Sequence, residues 1–309
     1  MPPAPSSRPR VSRRTVLLGA GGLAVLGTLG AGVALRADRM SGEEAQVTPT
    51  APPRPVDRLR AASPATVAHR GGSLDWPEMS LFAYRQSVEA GVDALEMSLA
   101  RTSDGIWFGL HDETLDRTSG TTGFVAAEHT WAEVQRHRIS AAGTSDPDQS
   151  DQPYARFDEI VLEFGHDHAL FVDPKYVGAE FYPELFEIAR TQLGTADLTQ
   201  TLVGKGYCTQ TAWGDLATSW GCETWGYYYA SELADDAELL SRTSASWSML
   251  GLDWQAPATT WATLAATGKP VYGHIVPDLD AAYAALDHDA DGLVVSGVAE
   301  VVGPLTTEG

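Results

Sequence analysis

The sequence predicts an α/β chain folded as a (β/α)8 barrel with a small insertion after the third strand. Three observations carry that prediction. From Ala65 onward, short apolar runs alternate with stretches of helical periodicity, the pattern that builds parallel sheets. Some 245 residues remain from that point, a length that suits eight strand–helix units. No Gly-rich phosphate loop follows the first apolar run in the form an open dinucleotide-binding sheet requires.

In chain order, the first element precedes the barrel. Ser12-Arg13-Arg14 opens onto an uncharged run, Thr15 to Leu35, that contains six Gly and four Ala. An Arg-rich start, a twin Arg pair and a weakly apolar core match a twin-arginine export signal. Gly32-Val33-Ala34 offers a small-residue cleavage site, and without cleavage the run is long enough to anchor the chain. Residues 1–40 are therefore read as an export signal or membrane anchor, and either reading places the body outside the cytoplasm. Residues 41–62, with Thr48-Pro49-Thr50-Ala51-Pro52-Pro53-Arg54-Pro55, read as a Pro-rich linker. The barrel is expected over 63–305.

Charge divides along the same line. The chain carries −20, from 21 basic and 41 acidic residues. Residues 1–60 hold nine Arg and four acids, so residues 61–309 carry −25. A body so acidic repels phosphate backbones, which excludes nucleic acid as a partner. Oligomeric state is not legible.

Nine strand candidates compete for eight places. They are Thr66–His69, Ala94–Ser98, Ile106–His111, Ala169–Asp173, Leu202–Gly206, Thr224–Tyr229, Met249–Leu252, Val271–Ile275 and Gly292–Ser296. Met249–Leu252 is taken as the surplus one. Helical patterns lie between them at Ser80–Ala90, Ala179–Leu193, Glu232–Thr243, Thr259–Ala266 and Leu279–Leu286.

Polar residues cluster at the ends of these runs. His69-Arg70 closes the first, Glu96 and Ser98 share one side of the second, His111-Asp112 ends the third, and Asp173 with Lys175 ends the fourth. A two-residue Asp104-Gly105 turn would set Ser98 opposite His111. An extended crossover from Leu99 to Gly105 would bring His111 to the same rim. Two histidines can serve as acid and base. Two carboxylates can hold Ca²⁺ or Mg²⁺, and Arg70 and Lys175 can neutralise a phosphodiester.

The motifs in this stretch are His69-Arg70-Gly71-Gly72, Pro77-Glu78, Ala90-Gly91-Val92-Asp93-Ala94-Leu95-Glu96, Thr102-Ser103-Asp104-Gly105 and His111 through Gly120. Together they resemble the glycerophosphodiester phosphodiesterase family. Gly123 to Glu133 resembles that family's small insertion, Asp173-Pro174-Lys175 its Glu-x-Lys, and Ala290 through Val295 its closing strand. The resemblance implies a (β/α)8 barrel that hydrolyses small or lipid-derived glycerophosphodiesters to glycerol phosphate and an alcohol with a divalent metal. By position it implies His69 and His111 as acid and base, and Arg70 and Lys175 at the phosphate. Glu96 and Asp173 become metal ligands, with Ser98 standing where the family has a third carboxylate. Asp173 is also shorter than the family's Glu, Met79-Ser80 replaces its Asn-Thr, and His274-Ile275 replaces a late Trp-Thr. The lost carboxylate keeps two alternatives open, a phospholipase D-like lyase forming a cyclic phosphate and a non-catalytic binding protein.

Glu78, Tyr207, Trp254 and His274 are further pocket candidates, Glu78 as a substitute carboxylate. Trp76, Tyr207, Tyr227 to Tyr229 and Trp254 could instead form an aromatic cage for a choline-like group. Asp287 through Gly292 mimics the start of a calcium loop, but its twelfth position is Val298, so it reads as a helix end and turn. Cys208 and Cys222 allow either one disulfide or two buried thiols.

Overall fold

The structure is a computed structural model and describes residues 53–307. The expected signal or anchor at 1–40 lies outside the described residues, as does most of the linker. Among the described residues eleven strands follow one another: β1 (Ala65–Ala68), β2 (Ala94–Arg101), β3 (Trp107–Gly109), β4 (Arg138–Ile139), β5 (Gln152–Pro153), β6 (Ala169–Asp173), β7 (Leu202–Tyr207), β8 (Glu223–Tyr228), β9 (Met249–Asp253), β10 (Val271–Val276) and β11 (Gly292–Val295). Eight of them, β1, β2 and β6 to β11, pair in parallel, and β1 closes the ring by bonding both β2 and β11. Helices separate the barrel strands along the chain, so the fold is the (β/α)8 barrel the sequence predicts.

The surplus strand is not the expected one. Met249–Asp253 pairs with β8 and β10 and belongs to the barrel. Ile106–His111 instead contributes β3, which runs antiparallel to β2 outside the ring. The hairpin reading of this segment holds with a one-residue difference. Thr102 donates to the Ile106 carbonyl and Gly105 to the Thr102 carbonyl, so the turn has three residues, with Gly105 at φ 88°. Leu99 then faces Gly109, and the Leu110 N–H bonds the Ser98 carbonyl at 3.0 Å. Ser98 lies level with Leu110, and His111 follows at the rim.

The insertion is larger than Gly123–Glu133. Residues 107–156 form a lobe with its own core of Phe108, Leu110, Leu115, Ala126, Val134, Ile139 and Tyr154, and β4 pairs with β5 there. The linker is correspondingly shorter than expected. Pro55–Ala61 is a helix begun by Pro55, and it buries Val56 and Leu59 in the same cluster as barrel residues Ala65, Val67, Ala169 and Phe171. Among the helices, Glu232–Thr243 breaks into Ala230–Asp235 and Leu239–Thr243. Asp236 explains the break, because its carboxylate accepts the Glu238 N–H at 3.0 Å and draws the backbone out of the helix. The calcium-loop mimic is the end of Leu279–Leu286 and a turn with Asp289 at φ 58°. Both cysteines are free and buried, and burial raises their pKa values to about 11 for Cys208 and about 12 for Cys222.

Strand parity decides what enters the barrel. Val67, Ala94, Phe171, Val203, Trp225, Met249, Tyr272 and Val294 fill one interior layer. Trp225 fits because Gly251 faces it, where a Cβ would come within 2.1 Å of the indole. Two residues further along, six of the eight strands place His69, Glu96 then Ser98, Asp173, Lys205, Tyr227 and His274 at the inward positions. The apolar layer thus supports a polar one at the strand C-terminal ends, where barrel enzymes carry their chemistry.

Candidate active site

The backbone turns sharply at the end of β1. Arg70, Gly71 and Gly72 all have positive φ, at 52°, 74° and 83°. Two glycines absorb most of that cost, and the turn aims the Arg70 N–H at Glu96 Oε2, 2.6 Å away. His69 is buried with its Nδ1 3.3 Å from Ser73 Oγ. His111 Nδ1 lies 2.7 Å from Asp112 Oδ1. Arg117 bonds Asp112 at 2.6 Å and holds both oxygens of Glu78 at 2.8 and 3.0 Å, while Arg70 Nη1 reaches Glu78 at 3.4 Å. Glu78 is thus a bridge between two arginines behind the pocket rather than a substitute ligand.

Lys205 stands at the centre. Its ammonium lies 2.8 Å from Glu96 Oε1 and 3.0 Å from Asp173 Oδ2, and Lys175 Nζ lies 2.8 Å from the same Asp173 oxygen. Glu96, Ser98 and Asp173 are fully buried and Lys205 nearly so. Burial opposes ionisation of Glu96, but Lys205 and Arg70 outweigh it and hold the carboxyl below its ordinary range. Burial likewise opposes ionisation of Asp173, and Lys175 and Lys205 overcome it. The same pairing, against the same burial cost, keeps both lysines charged with raised pKa values.

A narrow pocket opens above this cluster, lined by His69, Arg70, His111, Lys175, Lys205, Trp225, Tyr227, Tyr229 and His274 among others. The structure therefore brings His69, Arg70, His111, Lys175 and His274 together, with Glu96, Ser98 and Asp173 beneath them. Tyr207 and Trp254 are not on its wall. The Tyr207 ring tilts against Tyr227 with centroids 5.6 Å apart, and Trp254 packs on the outer core. No aromatic cage for a cation forms from the expected set, since the Tyr227 ring already faces Lys205 at 4.9 Å and Lys175 at 5.3 Å. Burial pushes all three pocket histidines below their usual range. His69 lies well below, with Arg70 and Lys205 adding to the effect, and His274 at about 4. His111 is lowered less, because Asp112 pulls it back.

Larger cavities exist elsewhere among the described residues, and one lies between the insertion and Phe181. It lacks the histidine pair. Chemistry, not size, locates the site.

The sequence reading missed Lys205, Asp112 and Arg117. Lys205 carries a signal, because a lysine between Gly204 and Gly206 in an apolar strand shares parity with Val203. Such a charge survives burial only when paired.

The donor set does not fit a divalent ion. Glu96 Oε1 and Oε2 and Asp173 Oδ2 are each engaged by protein donors, leaving Asp173 Oδ1 and the Ser98 hydroxyl. Ca²⁺ takes six to eight oxygens. An ion placed within ~4 Å of the Lys205 ammonium would meet a repulsion of roughly 8 kcal/mol at an effective dielectric of 20. Among the described residues no group of three or more His, Cys, Asp and Glu side chains is arranged to hold a metal.

The chain matches the sequence pattern of the glycerophosphoryl diester phosphodiesterase family over residues 69–245. It belongs to that family. Human glycerophosphodiester phosphodiesterase 1 is 35% identical over 123 residues, 40% of this chain and 35% of the human protein. A probable glycerophosphodiester phosphodiesterase 1 of Mycobacterium tuberculosis is 32% identical over 127 residues, covering 39% of this chain and 46% of that one. The chain thus spans less than half the length of these curated relatives. The fold is shared more widely. The structure of a putative glycerophosphoryl diester phosphodiesterase from Silicibacter pomeroyi superposes with a TM-score of 0.65 at 17% identity, over 79% of this chain and 94% of that one. An Oleispira antarctica phosphodiesterase in complex with the product sn-glycerol-3-phosphate superposes at 0.60, with 17% identity, over 79% of this chain and 96% of the other.

Proposed function

We propose that this family member hydrolyses glycerophosphodiesters to glycerol phosphate and an alcohol, with His69 and His111 as its acid–base pair. One observation carries the reading: two histidines, one oriented by a carboxylate, face a pocket walled by Arg70, Lys175 and Lys205. Arg70, Lys175 and Lys205 face the pocket while Glu96 and Asp173 lie beneath it and Glu78 pairs with Arg70, so the cations are the groups a diester monoanion meets. That placement also answers the −25 of the body, because attraction is confined to the pocket.

The roles follow from the environments. His69 has only a serine hydroxyl behind it and is held neutral, so it takes the proton from water as the water oxygen attacks phosphorus. Asp112 stabilises an imidazolium at His111, so His111 gives its proton to the alcohol oxygen as the P–O bond breaks. Arg70 Nε is buried without a partner and is available to a phosphate oxygen. The Arg13-Arg14 segment supports export, which would make the substrates extracytoplasmic diesters, free or lipid-derived.

³¹P NMR of glycerophosphocholine incubated with the enzyme is expected to show glycerol phosphate. A cyclic phosphate as the end product would replace hydrolysis with the lyase reading, and an unchanged diester would overturn both.

The pH profile gives a second expectation. Both histidines titrate below their usual 6.5 in the free enzyme. The form with one protonated and one neutral imidazole is therefore richest on the acid side of 6.5, where kcat/KM should peak. Asp112→Asn removes the group that raises His111, so the alkaline limb should move to lower pH. A profile flat from pH 5 to 8 would exclude this pair.

A further inference from the structure

We infer that the Lys205 ammonium is this enzyme's built-in cation, standing where the family resemblance expects a divalent ion, and that turnover needs no metal. The inference rests on the proposed diester chemistry for its functional half and on geometry alone for its binding half.

Glu96 on β2 and Asp173 at the end of β6 sit on adjacent strands, and the register sets Ser98 beside Asp173. Three carboxylates at these positions would concentrate three negative charges in a buried layer, and a divalent cation would be needed to hold them. Two departures remove that need together. Ser98 carries no charge, and its hydroxyl donates to Glu96 Oε1 at 3.4 Å. Lys205, from the next strand β7, extends into the gap and bridges Glu96 and Asp173 at 2.8 and 3.0 Å.

The lysine is held there by packing as well as by charge. It is 5% exposed, and the Tyr227 and Trp225 rings lie 4.9 and 5.8 Å from its nitrogen. Its stem leaves β7 between Gly204 and Gly206, whose missing side chains on the outer face admit the helix at Thr211–Ser219 and Trp247. Lys205 also lines the pocket above, so the charge that closes the carboxylate pair is the charge a bound diester would meet. Lys175 and Arg70 reinforce it from two sides. The pocket thus has a fixed cationic floor made entirely of side chains.

Two experiments test this on the full-length protein. Activity on glycerophosphocholine after exhaustive treatment with EDTA should remain within about twofold of the untreated enzyme, and calorimetric titration with CaCl₂ or MgCl₂ should give no binding heat in the millimolar range. Ser98→Asp/Lys205→Ala restores a third carboxylate and removes the ammonium. This variant should bind Ca²⁺ at least about tenfold more tightly than the wild type, since affinity follows ligand charge and number. A melting curve raised by CaCl₂ in the variant but not in the wild type would report the same gain without any activity.

A wild type that loses activity in EDTA and regains it with Ca²⁺ or Mg²⁺ would overturn the inference by showing that Lys205 yields its place. If the wild type leaves the diester untouched with and without metal, the proposed function fails. The calorimetry then decides the inference by itself, and wild-type binding of Ca²⁺ would reject it. The wild-type measurements stand even if the double variant does not fold.

Discussion

His111→Ala is expected to lower kcat on glycerophosphocholine by about 10²–10⁴, the usual contribution of a positioned acid or base. The side chain is partly exposed at the pocket mouth and its Nδ1 is engaged by Asp112, so removing it deletes one proton donor and leaves the buried cluster intact. The fold should be unaffected. The size of the loss depends on the leaving group. Choline leaves as an alkoxide that needs a proton, whereas nitrophenolate leaves without one. On a glycerophosphoryl nitrophenol ester, His111→Ala should therefore retain most of its activity, while His69→Ala should not, since water still needs a base. Equal losses for both variants on both esters would remove the acid and base assignments. Unchanged turnover of glycerophosphocholine by His111→Ala would remove the residue from the site.

Much of this arrangement is legible in the order of residues alone. Barrel strands alternate, so a polar residue two places beyond an apolar inward one must point to the same interior. Ala94-Glu96-Ser98 and Phe171-Asp173 announce themselves in this way. The turn at His69-Arg70-Gly71-Gly72 is equally visible, because consecutive glycines mark backbone that most residues avoid. What escapes is pairing. Ile106–His111 reads as a barrel strand, yet Phe108 packs into the core of the insertion lobe while Trp107 joins the outer core of the barrel. Apolar content cannot say which core a strand serves. Met249–Leu252 looks dispensable because it is short and interrupted by Gly251, yet that glycine is the space Trp225 requires. Lys205 escapes for a related reason. A search for carboxylates that hold a metal looks for negative charge, and the partner of those carboxylates is a positive residue 32 positions after Asp173. Nothing local to Val203-Gly204-Lys205-Gly206 names Glu96 as its partner. Only the barrel's closure brings them together.

Glu96→Gln is the substitution expected to cost the most stability, about 3–5 kcal/mol, the range for breaking a buried ion pair from one side. Glu96 is fully buried and serves three donors, the Lys205 ammonium, the Arg70 N–H and the Ser98 hydroxyl. A glutamine of the same shape still offers Arg70 a carbonyl oxygen, but it gives Lys205 no charge. Asp173 would then face both Lys175 and Lys205 alone, leaving one buried cation uncompensated. The urea midpoint should fall at unchanged slope, and a shift worth under 1 kcal/mol would mean that Lys205 has reached water. The double variant Glu96→Gln/Lys205→Met separates the two costs. It removes both charges and leaves Asp173 with Lys175, so it should recover most of the lost stability even though two groups are gone. It should not recover activity, because the cation on the pocket floor that meets the diester is gone with Lys205. A protein that regains its urea midpoint but not its turnover would show that this buried lysine is retained for the pocket it faces, since the fold can do without the ion pair.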